Sequence, residues 1–247
     1  MSTYAIKQRK YIMHSAHPTV GVSIASFARG FPAAVAKTAK VQVVIDPKDQ
    51  ALATRLQNYI ADTLGDHFSI DWDCLAIKAK GMSLESISSN HSDCMVLFGH
   101  PAEMNTKALH LIYDYWQRGG SIVGIRIADF ALQGTPKFAN DIFAGEYQYE
   151  HFLARAKINS SPQAKKHPLL SGVQPFIAPG GIHRYDLMPT EATPILFASV
   201  AGGLVPVAWV RSRLGRKVFA TSLGSASDFR HPCFLRLLAN AIIWTSR

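Results

Sequence analysis

From residue 40 onward, short β-branched or continuously apolar runs alternate with amphipathic segments at helical spacing. Val41-Gln42-Val43-Val44-Ile45 is followed by Asp46-Pro47, a helix-capping residue with proline at the first helical position. Leu52, Leu56, Tyr59, Ile60 and Leu64 then form one stripe, and Gly65 ends the helix. Phe68 to Trp72 alternates as a strand does, and Met82 to Ser89 predicts a short helix. Cys94-Met95-Val96-Leu97-Phe98 is apolar throughout, the pattern of a strand buried on both faces. Met104, Ala108, Leu111, Ile112 and Tyr115 give the next helix, Gly119-Gly120 stops it, and Ser121 to Ile125 is another buried strand. Such units predict an α/β fold: a mainly parallel sheet with helices on both faces, joined by right-handed crossovers. Residues 134–185, rich in His, Pro and Gly, predict loops over the sheet edge. Strands follow at Thr193 to Phe197, Val205 to Val210 and Lys217 to Thr221, the first two placed on the outside by their prolines. A last helix opens near Pro232, with Phe234, Leu237, Leu238, Ala241 and Ile242 on one stripe. With no internal repeat or second linker, residues 40–247 read as one domain.

Composition supports this and removes other classes. Hydrophobic residues make up 48% of the 247 and charged ones 17%, enough to bury a sizeable core. No apolar run is long enough for a membrane span. Cys74, Cys94 and Cys233 are odd in number and lack a CxxC, which excludes a disulfide framework. The formal charge is +9, but Lys7, Arg9, Lys10, Arg29, Lys37 and Lys40 supply six of the nine, in a stretch without acids. Five of those six lie in an N-terminal extension, residues 1–39, so the basicity belongs mainly to it, and no nucleic-acid partner is expected of the body. The extension has a basic start, an apolar stretch from Val20 to Ala28, and Ala34-Val35-Ala36, the order of a secretory signal with its cleavage site. An organellar presequence, a disordered start or a wrongly assigned start fit it too. The sequence leaves two locations open, cytoplasmic or, if residues 1–36 act as a signal, exported.

In an open parallel sheet, ligands bind beyond the carboxyl ends of the strands. Those ends carry Asp46, Gly99-His100-Pro101, Gly124 to Asp129, and Thr221 to Ser225 followed by Asp228. Each residue also has a structural reading. Asp46 and Asp228 suit helix caps, His100 suits a turn, and Arg126 suits an ion pair with Asp129 as well as a ligand contact.

Pro206 to Thr245, PVAWVRSRLGRKVFATSLGSASDFRHPCFLRLLANAIIWT, resembles the closing motif of trehalose-utilisation (ThuA-like) proteins. Gly124-Ile125-Arg126-Ile127-Ala128 resembles the family's GIRTAS-type turn. Phe143 to His151 resembles its LGGxYxxHH segment, and His167 to Val173 its HPI-x-GV segment. The resemblance spans roughly residues 40–247 and leaves out the extension. It implies a flavodoxin-like fold, similar to class I glutamine amidotransferases, and a role in carbohydrate metabolism on sugars or keto-sugars. The chain departs from the pattern at three places. Phe130, preceded by Asp129, stands where relatives often carry His; Ser225 replaces the His of SLGH; and Glu150 replaces the first of two histidines, leaving His151. Imidazoles are the groups best suited to proton transfer near neutral pH. Asp129, Glu146 and Glu150 stand as replacement acids or bases, or as solvated charges.

Glutaminase chemistry needs a cysteine at a sharp strand-to-helix turn, and the matching turn reads Ile125-Arg126-Ile127. G-x-S-x-G, G-x-G-x-x-G and a P-loop are absent. His151, His167 and His183 lack metal-ligand spacing, so no metal and no cofactor is expected. The expected site binds a small carbohydrate through Arg126, Tyr147, Ser225 and Asp228, with Asp129, His151 and Glu146 handling protons. The rival is a non-catalytic, degenerate binding or interaction module. Whether the protein forms a homo-oligomer stays open.

Overall fold

The computed structural model describes residues 38–65, 69–76, 92–99, 106–132, 136–151, 155–179, 181–213 and 215–247. The expected helix at Met82–Ser89 and most of the N-terminal extension lie outside them.

The apolar runs form strands β1 (Ala39–Ile45), β2 (Ile70–Ala76), β3 (Cys94–Phe98), β4 (Ile122–Ile125) and β11 (Arg216–Thr221). They lie side by side and parallel in the order β2-β1-β3-β4-β11. This is the flavodoxin-like order, with the crevice expected where β1 and β3 diverge. Helices α1 (Gln50–Leu64) and α5 (Pro232–Thr245) cover one face. On the other lie α2 (Thr106–Gln117), α3 (Ala128–Leu132) and α4 (Pro136–Phe143). The strands are buried on both sides because their side chains alternate between two cores. Val41, Val43 and Ile45 of β1 meet α1 and α5, whereas Val44, Met95 and Leu97 meet α2.

The sheet is mixed rather than mainly parallel. Beyond β11 it continues through β10 (Gly203–Arg213), β9 (Ala192–Val200), β6 (Arg155–Ser160) and β7 (Phe176–Pro179), every pairing antiparallel. Strands β9 and β10 are interior, against the expectation from their prolines. The ladder shifts register between Pro206 and Ala208 and again between Ala208 and Trp209, which pairs with Pro194. These irregularities accommodate the missing N–H groups without ending the sheet.

Residues 134–185 are not loops alone. They hold α4, β6, β7, and a separate two-stranded ribbon of β5 (Gly145–His151) and β8 (Ile182–Leu187). Alanine supplies much of the inward face of the outer strands: Ala156 and Ala178 are buried, while Lys157 and Ile177 point out. That gives the weak hydrophobic contrast that made the region read as irregular. The ribbon is anchored by Trp209, fully buried, whose indole N–H donates to the Phe143 carbonyl at 2.7 Å and whose ring lies 5.0 Å from that of Tyr185.

Candidate functional site

Four loops at the carboxyl ends of β1, β3, β4 and β11 converge on one side chain, Arg126. It directly follows β4 with φ of 55°, a left-handed conformation rare for a side chain of its size. Its Nε–H donates to Asp129 Oδ2 at 2.9 Å, and Nη2 meets Asp49 Oδ2, in the turn after β1. Nη2 also donates to the Gly99 carbonyl at 3.2 Å, after β3, and Nη1 to the Gly224 carbonyl at 3.5 Å, after β11. The guanidinium and its two carboxylates are largely buried, with side-chain exposures of 17%, 10% and 15%. Close approach requires glycine at 99. A Cβ there would sit 2.4 Å from the Arg126 carbonyl oxygen and 2.9 Å from Asp129 Oδ2.

The loop after β11 is organised by Asp228. One carboxylate oxygen, Oδ2, accepts from the Gly224 N–H at 3.0 Å, the Ser225 N–H at 2.9 Å and the Ser225 hydroxyl at 2.9 Å. The other, Oδ1, is buried without a partner among the described residues. Asp228 therefore ties down the loop that precedes it and caps neither helix: the short turn Asp228–Arg230 has Ser227 as its N-cap, and α5 has His231.

The opposite wall comes from the ribbon. Glu150 of β5 lies directly across from His183 of β8, and Tyr147 across from Tyr185. Glu150 comes three positions after Tyr147, which in a regular strand would put the two on opposite faces. A bulge between Tyr147 and Tyr149 corrects the parity, so both point toward His183. Glu150 leans over the start of β8: a Cβ on Gly181 would fall 1.7 Å from Glu150 Oε1. The Tyr147 ring lies 5.9 Å from the His183 ring.

Between the walls is a cavity of about 180 Å³, lined among others by Arg126, Glu150, His183, Ser222, Ser225 and Asp228. Three buried polar atoms on its lining residues lack partners among the described residues: Ser222 Oγ, His183 Nδ1 and Asp228 Oδ1. Unmade hydrogen bonds of buried groups cost free energy, and a ligand that completes them recovers it. Burial lowers the His183 pKa, while the Glu150 and Asp129 charges pull it back up. Burial raises the Tyr147 hydroxyl, and Glu150 raises it further.

Of the residues expected at the site, Arg126, Ser225 and Asp228 line the cavity. Tyr147 stands behind His183. Asp129 is one step back, holding the guanidinium. Glu146 is exposed, paired across the ribbon with Asp186. His151 closes β5 opposite Ile182, its side chain outside what is described. Ser222 and His183 were not among the expected residues. Ser222 had no signal beyond its place after β11, and His183 only its residue type. No group of three or more His, Cys, Asp or Glu side chains suited to a metal occurs among the described residues.

Residues 63–245 match the family model ThuA, described as trehalose utilisation. No curated protein matches the sequence. Among solved structures, a ThuA-like protein from Bacteroides uniformis superimposes with a TM-score of 0.61 at 17% identity, covering 87% of this chain and 95% of that one. A ThuA-like protein from Parabacteroides merdae gives 0.59 at 18% identity, covering 85% and 90%. The carbohydrate deacetylase Agd3 gives 0.55 at 13% identity, covering 82% of this chain but 32% of its own. At these identities the structures show a shared fold.

Proposed function

Because the chain belongs to the ThuA, trehalose-utilisation family, we propose that it binds or transforms a sugar or keto-sugar in the cavity between the β4–β11 loops and the β5–β8 ribbon. The observation that carries this reading is the set of three unpartnered buried atoms, Ser222 Oγ, His183 Nδ1 and Asp228 Oδ1, on the walls of one cavity. A cavity of about 180 Å³ is smaller than the roughly 300–1,000 Å³ of drug-sized sites and suits one sugar ring. Sugar hydroxyls donate and accept, so they can satisfy a carboxylate oxygen, a hydroxyl and an imidazole nitrogen together.

Arg126 serves chiefly as the clamp that fixes the cavity wall. Four of its five N–H donors are engaged by protein groups, which leaves one for a hydroxyl or keto oxygen. Asp129 sets the guanidinium's direction. Proton handling falls to Glu150 and His183, which face the cavity, rather than to Glu146 on the far side of the ribbon. Glutaminase activity is not part of the reading. The strand-to-helix turn carries Arg126, and Cys94 is fully buried, its thiol pushed up to about 12 by burial.

The test is a thermal-shift screen of mono- and disaccharides against the wild-type protein and Asp228→Asn with Ser222→Ala. A ligand that binds only the folded state raises the melting temperature. The reading requires at least one sugar to stabilise the wild type and to lose that effect in the double variant. A panel that shifts neither protein, or both equally, defeats it.

A further inference from the structure

Among the described residues, the cavity has no uncommitted positive charge. Its charged lining residues are Arg126, Glu150 and Asp228. Arg126 is already matched by two carboxylates outside the lining, Asp49 and Asp129. Asp228 is 3% exposed and keeps Oδ1 unpartnered while neutral donors hold Oδ2. Glu150 makes no hydrogen bond or ion pair among the described residues, although it is only partly exposed and lies against the Gly181 backbone. Its cross-strand neighbour is His183, and burial favours the neutral form of that ring. The nearby arginine of the ribbon, Arg184, lies on the other face, over Tyr149 and beside Asp186. Among the described residues one cation therefore stands with four carboxylates, and two of those, Glu150 and Asp228, line the cavity without a paired counter-charge.

Building on the sugar reading, we propose that the ligand is an amino sugar whose protonated amine sits beside Glu150, and that Glu150 is the residue selecting for charge. An ammonium group supplies both the missing positive charge and the donors that Glu150 and Asp228 Oδ1 lack. A carboxylate or phosphate on the sugar would instead meet uncompensated like charge in a partly desolvated space. The remaining hydroxyls pair with Ser222 and His183. The ribbon bulge makes this selection possible, because without it Glu150 would face solvent.

The experiment is calorimetric titration with matched trios that differ mainly in charge: glucosamine, glucose and glucuronate, and galactosamine, galactose and galacturonate. Wild type, Glu150→Gln and Gly181→Ala are compared at low and high salt. The expected order is amino sugar, then neutral sugar, then uronate, with at least about a tenfold span in affinity within a trio at low salt. Glu150→Gln should compress that span to about threefold or less. Gly181→Ala keeps the charge but displaces the carboxylate, and should compress the span too. Uronates binding as well as amino sugars overturn the proposal and leave the sugar reading intact, as does a span that survives both substitutions. Binding of no member of either trio, with no shift in the sugar screen above, removes the sugar reading and this inference with it.

Discussion

The two walls of the cavity are built on opposite principles. On the sheet side, nearly every strong polar group of Arg126 has a protein partner, and four loops are tied to one guanidinium. On the ribbon side, Glu150 and His183 Nδ1 have no hydrogen-bond partner among the described residues, and both residues line the cavity. The first arrangement stabilises the fold. The second sacrifices local stability and leaves groups available to a ligand. Asp228 belongs to both, one oxygen satisfied by its loop and the other not.

The largest effect should come from the satisfied wall. Arg126→Met leaves Asp49 and Asp129 buried without their cation, and denaturant unfolding should show a loss of about 3–5 kcal/mol. A loss below about 1 kcal/mol would make the clamp a surface pair in effect and erase the contrast. Asp228→Ala should follow, at about 1–3 kcal/mol, because two backbone N–H groups and the Ser225 hydroxyl lose their acceptor. Unlike the clamp variant, it should also weaken sugar binding in protein that remains folded.

The ribbon wall should appear in pH dependence before it appears in stability at neutral pH. Burial lowers the His183 pKa, so the unfolded chain takes up the proton first as pH falls. The stability tied to the neutral ring is complete above the ordinary histidine pKa and is lost as pH drops through it toward the folded value. His167 and His231 share this direction. His183→Asn should therefore flatten, not abolish, the decline in unfolding midpoint between about pH 7 and 5; an unchanged slope would take His183 out of the account. Glu150→Gln should leave stability within about 0.5 kcal/mol, since no protein partner is lost. A large loss there would mean that the ribbon wall, too, is held together by its charges. The smallest change belongs to Leu204→Ser, at a hairpin position 62% exposed, with the unfolding midpoint unmoved within error.

The parallel half of the fold was legible because each of its strands is a continuous apolar run and each helix a clear stripe, as in Cys94–Phe98 and the Leu52 to Leu64 series. The antiparallel half was not. Its inward positions are often alanine, as at 156 and 178, and its prolines suggested edges where register shifts absorb them instead. At the site, Arg126, Ser225 and Asp228 could be found because they follow strands whose carboxyl ends must face one crevice. His183 could not, because it sits within a strand of a ribbon that the sequence pattern did not reveal.

The local order of apolar runs and helical stripes determined the five parallel strands, their covering helices and the end of the sheet where a crevice opens. These depend on side-chain periodicity, which is written along the chain. Tertiary structure alone decided that Glu150 faces inward, that it stands opposite His183, and that the Arg126 guanidinium is shared among four loops. Those facts rest on a bulge that changes strand parity and on contacts between residues far apart in sequence, and neither leaves a periodic trace.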